Sequence, residues 1–283
     1  GKKGKKVGQS GKGNSATSVV EAFTVGNDWQ LDQRLVPYDC RASKAHARML
    51  NKIGVLSAQE VKPLISALSE IERLAKNGKL TISQSDEDCH TAIENFLVKK
   101  CGEAGKKIHT ARSRNDQVLT ALRLYEKDAL AEMMESTSQL IKKIEAACAK
   151  YGKIPMPGFT HTRPAMPTTV ATWLGAYAES LKDDQVLLKA VAGMLDQSPL
   201  GSAAGYGVPV FEINKKMTAK ELGFARVMEN PIHAQLSRGK YESSIVHALS
   251  QVMLDLNRLS SDLILFSMPQ FGYVQLPEGV CTG

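Results

Sequence analysis

The sequence lacks a long apolar segment, since no run approaches the roughly 18 residues that a membrane-spanning helix needs. No apolar stretch of the kind found in secretory signals follows its Lys-rich beginning. The five cysteines include no pair at C-x-x-C spacing, and an odd number cannot form a complete set of disulfides. We therefore expect no membrane contact and a reducing, cytoplasmic location.

The sequence also lacks the short motifs that hold common metals and cofactors. It contains neither H-E-x-x-H nor C-x-x-C, the spacings typical of zinc and redox sites. The glycines at positions 201, 205 and 207 do not form the G-x-G-x-x-G of a dinucleotide-binding loop after a strand. We expect no bound metal and no cofactor.

Acidic residues are missing from the first 14 positions, which contain five of the lysines. The net charge of the whole chain is +7, and without those five lysines it falls to about +2, so the remainder is nearly balanced. A folded domain with so little excess charge gives weak support to a nucleic-acid-binding surface. We predict a flexible basic tail over residues 1–18 and no nucleic-acid partner, with binding through the tail as an alternative.

Glycine and proline are absent from residues 106–151, which indicates a very long helix. We predict a helix over residues 118–150, with apolar residues on more than one flank. A helix of about 33 residues is about 50 Å long, which exceeds the core of a small domain. Two further long helices are predicted over residues 167–195, with Pro167 in the first turn, and over residues 240–268. The pattern predicts an all-α fold with a long-helix bundle.

Shorter elements are predicted from cap and turn residues. Ser43 is predicted to cap one helix, and Ser57 with Glu60 forms a capping box for the next. Thr218 is predicted to cap a short helix in the second half of the chain. Residues 151–166 contain three prolines and are predicted to form a loop.

Three segments are predicted along the chain. Residues 1–18 form the tail, residues 19–108 a small helical N-terminal domain, and residues 109–283 a central long-helix bundle that is truncated. The boundary is placed near residue 108 because the helices become much longer after the one predicted over residues 86–101.

Four polar clusters lie at predicted helix ends or in loops: D-C-R-A-S-K-A-H at residues 39–46, D-E-D-C-H at residues 86–90, I-H-T-A-R-S-R-N-D-Q-V at residues 108–118 and G-F-T-H-T-R at residues 158–163. Each cluster alone is explained by a helix cap or a solvated surface. Together, on facing helices of a bundle, they indicate one composite site. Arginine, serine and asparagine beside a helix N-terminus donate to carboxylates, and a loop histidine can exchange protons near neutral pH. We predict an anionic small-molecule substrate and acid–base chemistry.

Five segments in this order resemble the argininosuccinate lyases, within the fumarase/aspartase superfamily, over residues 19–283. The most specific is A-R-S-R-N-D-Q-V at residues 111–118. The others are Y-D-C-R-A-S-K-A-H at residues 38–46, D-E-D-C-H at residues 86–90, G-F-T-H-T-R-P-A-M-P-T-T at residues 158–169 and S-P-L-G-S-A-A-G-Y-G at residues 198–207.

The resemblance implies the reversible elimination of argininosuccinate to arginine and fumarate, a step of arginine biosynthesis. A base takes a proton from the succinyl carbon, donors stabilise the resulting aci-carboxylate, and an acid protonates the departing guanidino nitrogen. The resemblance implies that His161 is the acid–base histidine or the group that orients one. The residues that it places around the dicarboxylate substrate are Ser43, Asn115, Thr160, His90, Arg112, Ser113 and Arg114.

The resemblance also implies a homotetramer whose active sites take segments from three subunits. In the family, a flexible loop with the catalytic serine follows the T-G at residues 282–283, so we expect this sequence to be a fragment of a longer lyase. Two alternatives stay open beside nucleic-acid binding. One is a related superfamily lyase with another succinyl substrate, and the other is a non-catalytic structural protein on the lyase scaffold, as the lens δ-crystallins are.

Overall fold

The computed structural model describes residues 28–83 and 86–280, so the tail predicted over residues 1–18 lies outside the described residues. A short helix α1 (Asp28–Leu31) and a 3-10 turn (Asp32–Arg34) come first. The helices that complete the N-terminal part are α2 (Val36–Lys52), α3 (Ala58–Lys76), α4 (Cys89–Cys101) and α5 (Glu103–Lys107).

Helix α3 shows how local sequence starts these elements. The Glu60 backbone N–H donates to the Ser57 hydroxyl, and the Glu60 carboxylate accepts from the Ser57 backbone N–H, which confirms the predicted capping box. Leu64, Leu68 and Ile71 recur at the spacing of one helix face and are fully buried. They pack with apolar residues of α2 and α4 in one core.

Three long helices form the bundle. Helix α6 (Arg114–Tyr151) has 38 residues, α7 (Val170–Leu195) has 26 and α10 (Lys240–Ser267) has 28. Helix α7 packs against both α6 and α10, which confirms the predicted long-helix fold. The short elements between α7 and α10 are β3 (Gln197–Ser198), α8 (Lys215–Glu221), β4 (Arg226–Val227) and α9 (Pro231–Leu236), and β3 pairs with β4 in parallel.

The prediction of a loop over residues 151–166 was wrong in part. The chain there forms an antiparallel hairpin of β1 (Pro155–Thr160) and β2 (Arg163–Thr169), with an irregularity between Pro157 and Phe159. Proline is excluded from central strands because it cannot donate to the ladder. Among the described residues this hairpin has no third strand, so both strands are edges and tolerate proline.

Several predicted helix ends were also wrong. Ser43 lies inside α2, not at its cap, because Pro37 occupies the first turn, where a proline ring fits the helix. Pro167 pairs within β2, and α7 begins after it. Helix α8 is capped by the side chain of Asn214, which places Thr218 inside the helix. The caps of α7 and α8 are the side chains of Thr169 and Asn214, whereas α2 begins after Leu35 without a side-chain cap.

The division predicted near residue 108 stays a prediction. One apolar core belongs to α2–α5, and two others lie between the long helices. A further cluster joins the two parts, since it contains Ala42 and Ala45 of α2, Leu124 of α6, and Leu200 and Phe224. None of the helices in the described part of the chain is long and apolar enough to cross a membrane.

Candidate active site

Three helices meet at the carboxylate of Asp39. It accepts hydrogen bonds from the Ser43 hydroxyl at 2.8 Å, from His90 Nδ1 at 2.6 Å, and from Gln117 Nε2 at 2.9 and 3.1 Å. Ser43 stands one helical turn after Asp39 on α2, His90 lies in the first turn of α4, and Gln117 lies in the first turn of α6. Arg112, just before α6, donates from Nη1 to the Ser43 oxygen at 2.9 Å.

The side chains around Asp39 favour its charged form although the carboxylate is buried. Burial by itself raises the pKa of Asp39, but the charge and hydrogen bond of His90, with Arg112 beside them, lower that pKa to about 2. Burial opposes the charged form of His90, and Asp39 outweighs it, so the pKa of His90 is raised. The two nearby imidazoles differ: burial and the Arg112 charge lower the pKa of His46 to about 3 and that of His109 to about 4. Of these three imidazoles, only that of His90 has a raised pKa.

The start of α6 is tied to the glycine-rich loop that follows β3. Ser113 caps the helix, and its backbone N–H donates to Asp116 Oδ1 at 3.0 Å. Asp116 Oδ2 accepts from the backbone N–H groups of Gly201 and Ala203, both at 2.9 Å. Two of the five segments recognised in the sequence thus meet through one buried carboxylate, and burial raises the pKa of Asp116.

Arg114 and Asn115 face outward from the same helix end. Arg114 Nη1 donates to Asp88 Oδ2 at 2.7 Å and to Thr91 Oγ1 at 2.8 Å, which joins α6 to the first turn of α4. Asn115 is exposed, and its backbone oxygen accepts from Arg238 Nη2 at 2.9 Å. An exposed helix N-terminus with arginines beside it favours a bound anion.

Thr160 and His161 lie at the tip of the hairpin. His161 and Thr162 form its two-residue turn, with φ angles of 52° and 62°, and both are exposed. A positive φ is uncommon for residues other than glycine, and it costs most for a β-branched side chain. Turns with two positive φ angles match the twist of paired strands, so the hairpin presents the imidazole on a defined backbone.

Aromatic side chains attach this hairpin to the end of α10. The ring of Phe159 in β1 makes an edge contact with Phe271, at 5.6 Å between centroids. Phe271 in turn contacts Phe266 and Tyr273, and Phe266 contacts Trp173 of α7. Pairs of this kind add stability beyond the area that they bury.

The predicted site residues form two groups that lie at opposite ends of α6. Those at the start of α6 or in contact with it are Ser43, His90, Arg112, Ser113, Arg114 and Asn115. Thr160 and His161 follow the other end of α6, and 38 helical residues are about 55 Å long. Within one chain the two groups do not form a single site.

Sequence reasoning missed the roles of Asp39, Gln117 and Asp116, although all three lie in the quoted motifs. Asp39 and Ser43 are four residues apart, the spacing of neighbours on one helix face, and this was the available signal. The donor role of Gln117 and the bonds that Asp116 accepts from Gly201 and Ala203 depend on contacts with distant segments, which no local pattern indicates.

Asp32, Cys89 and His90 place potential metal-ligand atoms within 4.8 Å of one another. Burial and the neighbouring carboxylates raise the pKa of the Cys89 thiol far above its usual range. His90 already donates to Asp39. A metal at this group would have to displace the hydrogen bond of His90 to Asp39 and the proton of the Cys89 thiol.

Comparison with known proteins places this geometry in a family. A family model described as "Lyase" matches residues 14–282. An argininosuccinate lyase of Thermotoga neapolitana is 53% identical over 96% of this chain and 68% of its own length. The argininosuccinate lyases of Sorangium cellulosum and Bacteroides fragilis are 43% and 40% identical, over 63% and 59% of their lengths. The chain thus spans about two thirds of the relatives that it matches.

Solved structures share the fold. An EDDS lyase in complex with formate superposes with a TM-score of 0.78 at 24% identity, over 86% of this chain and 47% of that one. A structure described as a fumarate lyase, delta crystallin, of Brucella melitensis bound to cobalt gives a TM-score of 0.75 at 19% identity, over 96% of this chain and 66% of that one. The family model and the sequence relatives show that the chain belongs to the lyase family and, within it, to the argininosuccinate lyases.

Proposed function

We propose that the protein containing this chain cleaves argininosuccinate reversibly to arginine and fumarate, as a step of arginine biosynthesis. The identity of 53% with the Thermotoga neapolitana argininosuccinate lyase, over nearly all of this chain, carries the proposal. The polar start of α6 supports it, because a dicarboxylate needs several donors beside a positive helix end. The three sequence relatives reported above are all named as argininosuccinate lyases, and the name delta crystallin comes only with a structure at 19% identity, so the catalytic role has the stronger support.

In the proposed reaction, the start of α6 holds the succinyl carboxylates. Arg112, Ser113, Arg114 and Asn115 supply side-chain donors there. Donors fixed around the aci-carboxylate stabilise its extra negative charge, which lowers the barrier to proton removal from the succinyl carbon. His161 transfers a proton or orients the group that does, and Thr160 beside it contacts the substrate.

We also propose a homotetramer with shared active sites. The start of α6 and the His161 turn are at opposite ends of a helix that is about 55 Å long. A site that uses both must combine the end of one copy with the opposite end of another. Exposed apolar side chains along the long helices support such packing, namely Val186, Val246, Met253 and Ile264.

A cytoplasmic location belongs to the same proposal. Cys40, Cys89, Cys101 and Cys148 are free thiols, which suits a reducing compartment. Biosynthesis of an amino acid from soluble intermediates suits the same place.

Fumarate release from argininosuccinate tests the function, with the protein as its gene encodes it. We expect activity in the natural protein and a fall of about 100-fold or more for His161→Asn, the usual range for loss of acid–base catalysis. A folded protein that is silent with argininosuccinate but releases fumarate from another succinyl compound would indicate the related lyase. Silence with every such substrate would favour the non-catalytic alternative.

A mixing experiment tests the shared site. His161→Asn and Asn115→Ala alter opposite ends of α6, and each variant alone should be nearly inactive. Subunits of the two variants, unfolded together and reassembled, should recover activity because some sites then combine two unaltered ends. Reassembled wild-type protein serves as the control. Mixtures no more active than either variant alone would contradict a site built from different copies.

A further inference from the structure

Asp39 is the centre of a polar network that solvent does not reach. Asp39 and Ser43 are both 0% exposed, and His90 is 2% exposed. A buried carboxylate is costly unless hydrogen bonds compensate it, and here Ser43, His90 and Gln117 all donate to it. The donors come from three helices, so the carboxylate holds α2, α4 and α6 in one arrangement at the proposed substrate site.

The hydrogen bonds have a defined direction from Arg112 to Asp39. A serine hydroxyl has one hydrogen, and that of Ser43 is directed to Asp39 at 2.8 Å. The same oxygen is then an acceptor, and Arg112 Nη1 donates to it at 2.9 Å. Asp39 therefore acts on the guanidinium through Ser43. A negative charge at one end of such a chain strengthens the bonds along it.

Arg112 has a donor that the described part of the chain leaves unpaired. Its Nε–H is buried and makes no hydrogen bond there, while Nη1 is used by Ser43. A buried donor without a partner costs free energy. A carboxylate binds two parallel N–H groups on one edge of a guanidinium. The second group on this edge is Nη2, which lies 3.4 Å from His109 Nδ1, so a ligand carboxylate would satisfy Nε and replace that long contact.

We propose that Asp39 is a positioning residue for carboxylate binding, because it orients Ser43 and, through Ser43, the guanidinium of Arg112. This inference rests on the proposed function. Asp39 itself stays out of reach of the ligand. Ser43 and His90, which the family resemblance placed among the substrate contacts, belong to the buried support below Arg112.

Two measurements on the full-length protein test the inference. Calorimetry gives the affinity for fumarate, and steady-state kinetics give KM and kcat for argininosuccinate. We expect Asp39→Asn and Ser43→Ala each to weaken fumarate binding by about tenfold or more, the loss of one charge-assisted hydrogen bond. The double variant should bind about as weakly as the weaker single variant, because both changes interrupt the same path. KM should rise more than kcat falls.

Asp128→Asn is the matched control, since this carboxylate of α6 is 55% exposed and pairs with Arg41 at the surface. Its fumarate affinity should equal that of the wild type. Ser43→Ala keeps the bonds of Asp39 to its other partners, so it tests the path even where Asp39→Asn fails to fold.

Two results would overturn the inference. The first is wild-type affinity for fumarate in Ser43→Ala, or in a folded Asp39→Asn, together with a lower melting temperature. That result would indicate a purely structural role. The other is a double variant whose loss of affinity is the product of the two single losses. Wild-type protein that neither binds fumarate nor releases it counts instead against the proposed function.

Discussion

Replacing Asp116 by alanine tests how the start of α6 is held. The carboxylate is 0% exposed and accepts three backbone N–H groups, those of Ser113, Gly201 and Ala203, at 2.9 to 3.0 Å. Each donor left without a partner costs about 1 to 3 kcal/mol. The substitution also removes a buried carboxylate, whose charged form burial disfavours, as the raised pKa of Asp116 indicates. This gain offsets part of the loss of stability. We expect a net loss of about 3 kcal/mol of stability.

Thermal unfolding and amide hydrogen exchange measure this loss separately. In a protein of this size, about 3 kcal/mol lowers the Tm by about 6 °C or more. The amides of Gly201 and Ala203 should exchange at least about tenfold faster in Asp116→Ala, since each 1.4 kcal/mol of local opening is tenfold. Asp128→Ala removes an exposed carboxylate from the same helix and should cost less than about 1 kcal/mol.

The reasoning would be refuted if Asp116→Ala had the Tm of the wild type and the amides of Gly201 and Ala203 exchanged no faster. Stability lost with unchanged amide exchange would mean that the carboxylate supports the helix start but does not anchor the loop.

The remaining predictions concern pH, backbone strain and the hairpin. Burial and Glu242 raise the pKa of Glu126 to about 7, so the folded state binds its proton more tightly, and this stabilisation is lost as the pH rises through about 7. Glu126→Gln should therefore be more stable than the wild type at pH 8, by up to about 3 kcal/mol, with little difference at pH 5 in urea unfolding. Thr162→Gly should raise the Tm slightly, because glycine adopts its φ of 62° without strain; a lower Tm would contradict this. Phe271→Ala should lower kcat severalfold by loosening its contact with Phe159, and equal kcat would contradict a positioning role for the aromatic cluster.

The long helices and the polar motifs were predictable from sequence because their signals are local. A run without glycine or proline predicted α6 to within a few residues at each end. The capping box at Ser57 was predicted for the same reason, since its partners are three residues apart.

The errors arose where tertiary contacts outweigh local preference. Ser43 has good cap chemistry, yet it lies within α2, where its hydroxyl bonds Asp39 and Arg112 in the core. The prolines of residues 155–167 favour a loop, yet they pair in a hairpin. In a hairpin without further strands among the described residues, a missing N–H on an outer edge interrupts no ladder.

The sequence by itself determined the helical class, the length of α6 and the positions of the polar motifs, because periodicity and motif spacing act over short stretches. Only the tertiary structure decided which of those residues meet. Asp39 accepts hydrogen bonds from residues that are 51 and 78 positions away in the sequence. His161, in contrast, follows the far end of α6. Such pairing depends on how helices pack, and packing is the sum of many distant contacts that no local pattern contains.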